Sequence, residues 1–154
     1  MNSEARRYVG DADQMRPDDG LMCWVDGTIE SPIAEPETPE EFGDRHLWVV
    51  TTENVHYAPE ACDFGKCRGA GATKHSNLTG GGRAFVGGEL VFLEADTIAI
   101  TGCSGRYRLR SGKEMAAIER AFVESGYNVW SMGYNEDTNR PHQFGLSDPK
   151  WISL

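Results

Sequence analysis

Two strand-forming runs, Ala84 to Leu93 and Thr97 to Thr101, are separated only by Glu94-Ala95-Asp96. So short a link joins antiparallel neighbours, because a parallel return needs a long crossover. This hairpin sets the centre of any fold the chain can adopt. Side chains alternate along a strand, so Glu89 and Val91 share one face and Leu90 and Phe92 the other. Leu90 and Phe92 are expected to face the core, which leaves Glu89 on the opposite face, open to a ligand. A buried Glu89 needs a partner, and Arg106 or His75 is the expected one.

Other elements follow from composition around this hairpin. His46 to Thr52 (HLWVVTT) is aromatic and β-branched, and predicts a strand. Leu21 to Val25 predicts a short first strand, stopped by Asp26-Gly27. Asn54 to Tyr57 either continues the HLWVVTT strand or pairs with it as a hairpin, and Tyr127 to Met132 reads as a last strand. Ser111 and Glu114 form a capping-box pattern, and Met115, Ile118 and Phe122 recur at helical spacing. Ser125-Gly126 stops that helix. Segments 59–73 and 133–150 read as loops, with Trp151 and Ile152 folding the C-terminus back. The expected fold is α+β: one domain, with a mainly antiparallel, curved or partly barrel-like sheet and one principal helix. Residues 1–45 are expected to be an acidic arm and loop with one short strand of the same domain, and 46–154 its core.

Length and charge narrow the function. A chain of 154 residues suits one core rather than two. No apolar run approaches the roughly 20 residues that span a bilayer, and the first residues lack a secretory apolar core. A cytoplasmic protein is expected, or one delivered to a target cell by a larger system, with no membrane partner. Residues 1–45 hold 12 acids and 4 bases, against 12 acids and 11 bases in 46–154. A broad duplex-binding face is therefore not expected. A local cationic patch at Arg106, Arg108, Arg110 and Lys113 remains open. Residues 30–45, with three prolines and six acids, read as a surface loop or as an acidic segment for a protein partner.

The candidate chemistry gathers in 74–107, KHSNLTGGGRAFVGGELVFLEADTIAITGCSGRY. His75 and Ser76 offer a base and a hydroxyl, and Glu89 an acid or base. Lys74, the turn glycines Gly81 and Gly82, and then Ser104, Arg106 and Tyr107 could hold an anion. The alternative for the same residues is a hydrogen-bond network holding the sheet. Cys62, Cys67 and His75, with Cys103 as a fourth, could ligate zinc, but their spacing fits no usual knuckle and no metal is expected. Cys103 could act as a nucleophile if a histidine lowered its pKa, or be a buried, inert thiol. No cofactor is indicated.

Lys-His-Ser-x-Leu, then Gly-Gly, Gly-Gly-Glu-Leu, Ser-Gly-Arg-Tyr and a capped helix together resemble a domain of plant IQ-motif calmodulin-binding proteins. There the pattern is approximately His-Ser-Ser-Phe-Leu-x-Gly-Gly, Ala-Gly, then Ser-Gly-His-Tyr. Similar segments occur in bacterial and fungal proteins, some of them toxin- or effector-like. The resemblance covers residues 74–126. It carries over His75, Ser76, Gly81, Gly82, Gly88, Ser104, Gly105 and Tyr107, and departs at Asn77 and Arg106, where serine and histidine are usual. The IQ motif has no counterpart here, so calmodulin is not implied. Two functions are expected as alternatives. One is a small toxin- or effector-type enzyme acting on a nucleotide-like or other anionic ligand. The other is a non-catalytic interaction domain using the acidic N-terminal third.

Overall fold

The computed structural model describes residues 8–10, 12–23, 44–51, 55–67, 71–145 and 148–152. Residues 30–43 of the expected acidic loop, and Val25 with the turn after it, lie outside the described residues. Near the N-terminus come β1 (Tyr8–Val9) and β2 (Met22–Cys23), followed by β3 (His46–Thr51) and β4 (Val55–Pro59). A one-turn helix, α1 (Asp63–Lys66), and a 3-10 turn, His75–Asn77, lead into the long β5 (Arg83–Glu94) and β6 (Thr97–Thr101). The principal helix α2 (Gly112–Glu124) precedes β7 (Asn128–Ser131), β8 (Tyr134–Asn135), β9 (Arg140–Pro141) and β10 (Lys150–Ile152).

The main sheet runs β10-β7-β6-β5-β3-β4-β2, with β1 beside the start of β5. It is mainly antiparallel and open rather than closed into a barrel, since β10 and β2 end the path. The β5–β6 hairpin forms as the short link requires, with Leu90 opposite Ile100 and Glu89 opposite Thr101. β4 turns back on β3, which settles the hairpin alternative at 55–59. The exception to antiparallel pairing is β6 with β7, where α2 supplies the crossover that a parallel pair needs.

Two departures from the sequence expectation have local causes. Residues 133–150 are not all loop: β8 and β9 form a small hairpin, with Asn139 at φ 58° in its turn. Asparagine tolerates that left-handed geometry better than most residues. Trp151 and Ile152 do fold back, as an edge strand on β7. Their pairing supplies order that this short, mixed segment does not signal by itself. α1 escapes notice because four residues carry no helical period.

Alternation places Leu90 and Phe92 on the α2 side, with Trp48, Ile98, Ile100, Met115, Ile118 and Phe122. The opposite face carries two separate apolar groups. One centres on Leu47, Val49, Leu78 and Tyr107, the other on Val91, Ala99, Trp130 and Phe144. Glu89 lies on this second face.

Ser111 caps α2, accepting from the Glu114 amide at 3.2 Å. The Glu114 carboxylate reaches one residue further back than a capping box expects, accepting from the Arg110 amide at 2.6 Å. Ser111→Ala is expected to cost about 1 kcal/mol. A melting temperature lower by ~2–4 °C would register it.

Candidate functional site

A cleft with two lobes opens on the sheet face opposite α2. The first lobe, about 360 Å³, is walled by Glu60, Lys74, His75, Ser76, Glu89 and Arg106. The second, about 520 Å³, is walled by Arg45, Cys103, Arg108, Arg140 and Gln143. His75, Glu89, Ser104 and Gly105 border both. The expected convergence of His75, Ser76, Glu89, Ser104 and Arg106 on one concave surface is therefore present, as is Lys74 at its edge.

Backbone contacts fix the His75 turn. The Asn77 side chain accepts from the Lys74 amide at 2.8 Å and donates to the Asp13 carbonyl at 2.8 Å. Gln14 donates to the Ser76 carbonyl at 2.7 Å and accepts from the Gly80 amide at 2.8 Å. His56 Nδ1 donates to the Leu78 carbonyl at 2.7 Å. The segment before β2 thus clamps the catalytic candidate, a contact between parts of the chain over 60 residues apart.

The His75 ring rests over Gly87, where an added Cβ would stand 3.0 Å from its Cδ2. Its Nε2 lies 2.7 Å from the Gly88 carbonyl oxygen. A carbonyl only accepts, so Nε2 carries the hydrogen and the neutral ring keeps its lone pair on Nδ1. Burial holds His75 below the ordinary imidazole range, and the Gly88 carbonyl partly opposes this.

Glu89 sits between Leu47 and Thr101 across the sheet. Burial pushes its carboxyl above the ordinary range, against the pull of Arg45, while Glu60 pushes it further up. Arg45 Nη1 stands 3.4 Å from one carboxylate oxygen, and Thr101 Oγ1 donates to the other at 3.4 Å. The partner is thus Arg45, where the sequence reading names Arg106 or His75. The reason is topological: Arg45 directly precedes β3, whose Leu47 pairs with Glu89.

Other expected site residues have different places. Tyr107 is fully buried with Leu47, Val49 and Leu78, a core position rather than a cleft wall. Gly81 and Gly82 lie in the exposed turn before β5 and are not among the cleft walls. Gly81 serves that turn with φ 86°. Ser104 Oγ accepts from the Tyr107 amide at 3.1 Å, bracing the 104–107 turn. The polar wall residues that sequence reasoning misses are Arg45, Glu60, Thr73, Arg140 and Gln143. Each is a single polar residue beside a strand end or in a loop, and none belongs to a motif.

Cys103 borders the second lobe, but burial and the nearby Glu89 push its thiol up, and Sγ donates to the His142 carbonyl at 3.5 Å. That environment keeps a thiol protonated, the opposite of what a nucleophile needs. Cys62 instead meets the Thr73 hydroxyl at 3.2 Å. Among the described residues, no three His, Cys, Asp or Glu side chains gather as metal ligands. Nor is any helix among them long and apolar enough to cross a membrane. Set against known proteins, the chain matches no family model, no curated protein and no solved structure.

Proposed function

We propose that the chain is a small toxin- or effector-type enzymatic domain acting on a nucleotide-like or other anionic ligand. His75 Nδ1 takes a proton, Glu89 gives one, and Lys74 and Arg106 hold the anionic group, with Ser76 and Ser104 beside them. The observation that carries this reading is the shared cleft. An imidazole with a fixed tautomer and a half-buried carboxyl meet there, and over both lobes Lys74, Arg106, Arg45, Arg108 and Arg140 outnumber Glu60 and Glu89, in a chain of net charge −9. Local positive charge in an acidic protein favours an anion at that place. Perturbed acid and base groups in a cleft are candidates for proton transfer. The toxin or effector part rests on the resemblance of 74–126 and places the chain's action in a cytoplasm.

Thermal-shift screening tests this directly, because a ligand of the native state raises the melting temperature. Nucleotides are expected to raise it and the matching uncharged nucleosides to leave it unchanged. In a cell-growth or effector assay, His75→Ala is expected to abolish the effect. If His75→Ala keeps full activity, and replacing Glu30, Glu35, Glu37, Glu40 and Glu41 by glutamine removes it, the chain is an interaction domain instead.

A further inference from the structure

Arg108 and Arg140 reach the second lobe from distant parts of the chain, and each is placed there by fastened neighbours. Arg108 is exposed between Tyr107 and Leu109, which are 0% and 3% exposed. The Tyr107 carbonyl accepts from the Gly87 amide at 2.8 Å, which ties that segment to β5. Arg140 lies in β9, two residues ahead of His142. The His142 amide donates to the Gly133 carbonyl at 3.2 Å, and the His142 carbonyl accepts from Cys103 Sγ at 3.5 Å. The β8–β9 hairpin is thereby held against the turn that follows β6. Arg108 and Arg140 so come to border one space of about 520 Å³.

That space carries more positive charge than its own walls answer. Three guanidinium groups border it, against the single carboxylate of Glu89. Arg45 is engaged already, with Glu89 at 3.4 Å and over the Phe144 ring at 5.6 Å. Among the described residues, neither the Arg108 nor the Arg140 guanidinium has a hydrogen-bond or ion-pair partner. Ser104 Oγ accepts from the Tyr107 amide and keeps its own O–H to donate. Gln143 adds a side-chain amide to the same wall. A guanidinium presents a planar fork of N–H donors that matches phosphate oxygens. A phosphate group carries about two negative charges at neutral pH, which is the surplus that Arg108 and Arg140 present, whereas a carboxylate carries one. We infer that the second lobe is a seat for one phosphate dianion, held by Arg108 and Arg140 with Ser104 and Gln143 beside them. This seat goes beyond the function proposed above and draws on neither Lys74 nor Arg106. The same dianion occurs as free inorganic phosphate and as the end of a phosphomonoester.

Calorimetric titration of the full chain tests this at low salt, where screening is least, with inorganic phosphate, acetate and adenosine 5′-monophosphate as probes. Phosphate is expected to bind roughly tenfold more tightly than acetate. Arg108→Ala and Arg140→Ala are each expected to weaken phosphate about tenfold, a step of about 1.4 kcal/mol. Lys113→Ala removes an exposed cation that borders neither lobe and is expected to leave phosphate affinity unchanged. Both arginines are exposed, so circular dichroism of the variants should match the parent. Weakening of the same size by Lys113→Ala would mean diffuse attraction to charge, and overturns the seat. Indifference to Arg108→Ala or to Arg140→Ala overturns it as well. If Arg106→Ala weakens phosphate in their place, the function proposed above is what stands. Absence of phosphate binding removes the seat alone, because the nucleotide thermal-shift screen decides that function separately. Adenosine 5′-monophosphate binding more tightly than phosphate, with the same dependence on Arg108 and Arg140, identifies a phosphomonoester as the source. Equal or weaker binding identifies free phosphate.

Discussion

Gly88→Ala is expected to be among the most damaging single-methyl changes this protein can receive. Gly88 faces the α2 side of β5, where an added Cβ would overlap the Thr101 carbonyl oxygen and the Trp48 indole. Neither obstacle can yield easily. Thr101 belongs to β6, paired to β5 through the Glu89–Thr101 register. Trp48 is 0% exposed, stands edge-on to Phe122 at 5.5 Å, and donates from Nε1 to the Glu89 carbonyl at 3.1 Å. Overfilling a tight core costs about 1–3 kcal/mol, sometimes more. Obstruction by backbone places this case at the upper end, so the melting temperature should fall by roughly 6–12 °C. Gly105→Ala is the control: nothing lies within 4 Å of its Cβ position, and a change within ~0.5 kcal/mol is expected. Trp48→Ala removes the indole and should cost ~3–5 kcal/mol alone. Combined with Gly88→Ala it should cost less than the sum, because the overlap with the ring is gone. Strict additivity of the two would show that the indole is not what excludes a side chain at Gly88.

The Gly87-Gly88 pair also shows how much of the site is legible in the sequence. Glycines inside a strand signal close approach, and the approaching groups are indeed there: His75 over Gly87 and Trp48 over Gly88. The β5–β6 hairpin, the capped helix and the face occupied by Glu89 all follow from short-range rules of link length, capping and alternation. These rules act within about a dozen residues, which is why they read well. The rest depends on pairing between distant segments. No local rule announces that Gln14 will hold the Ser76 carbonyl. Nor does one show that Arg45 will reach Glu89 across a strand pair formed 44 residues away. The parallel β6–β7 pair hides for a related reason. Tyr127 to Met132 reads as a strand, but its direction is set by α2 packing back over the sheet. Tyr107 carries two readings in its Ser-Gly-Arg-Tyr setting, a ligand contact or buried support for the sheet, and its ring takes the second, beneath Arg106 and Arg108.

Glu89→Gln and His75→Gln are expected to cut activity sharply while moving stability in ways that depend on pH. Burial dominates at both residues, but it acts on opposite charges. The folded-state pKa of His75 lies below 6.5. Between that folded value and 6.5 the unfolded chain binds more protons, so the contribution of His75 is intact above 6.5 and is lost as pH falls through the window. The folded-state pKa of Glu89 lies above 4.5. Between 4.5 and that folded value the folded chain binds more protons, so stability falls as pH rises through the window. Glutamine at 89 cannot ionise, and its side-chain oxygen still accepts from Thr101. It gives up the Arg45 pair, which at an arginine half exposed to solvent is a weak one. Glu89→Gln is therefore expected to melt a few degrees higher than the parent at pH 7.5 and to converge with it below pH 4.5. His75→Gln keeps an N–H for the Gly88 carbonyl and removes the titrating ring, so its melting temperature should decline less on acidification below 6.5. Loss of a proton-transfer group costs roughly 10²–10⁴ in rate, and each variant should show that loss on the ligand found by thermal shift. A neutral His75 and a protonated Glu89 coexist best on the acid side of neutrality, where the parent's rate should peak. A lower melting temperature for Glu89→Gln at pH 7.5 would mean that attraction to Arg45 outweighs burial. Glu89 would then be a structural ion-pair residue, and proton donation would have to come from elsewhere in the cleft.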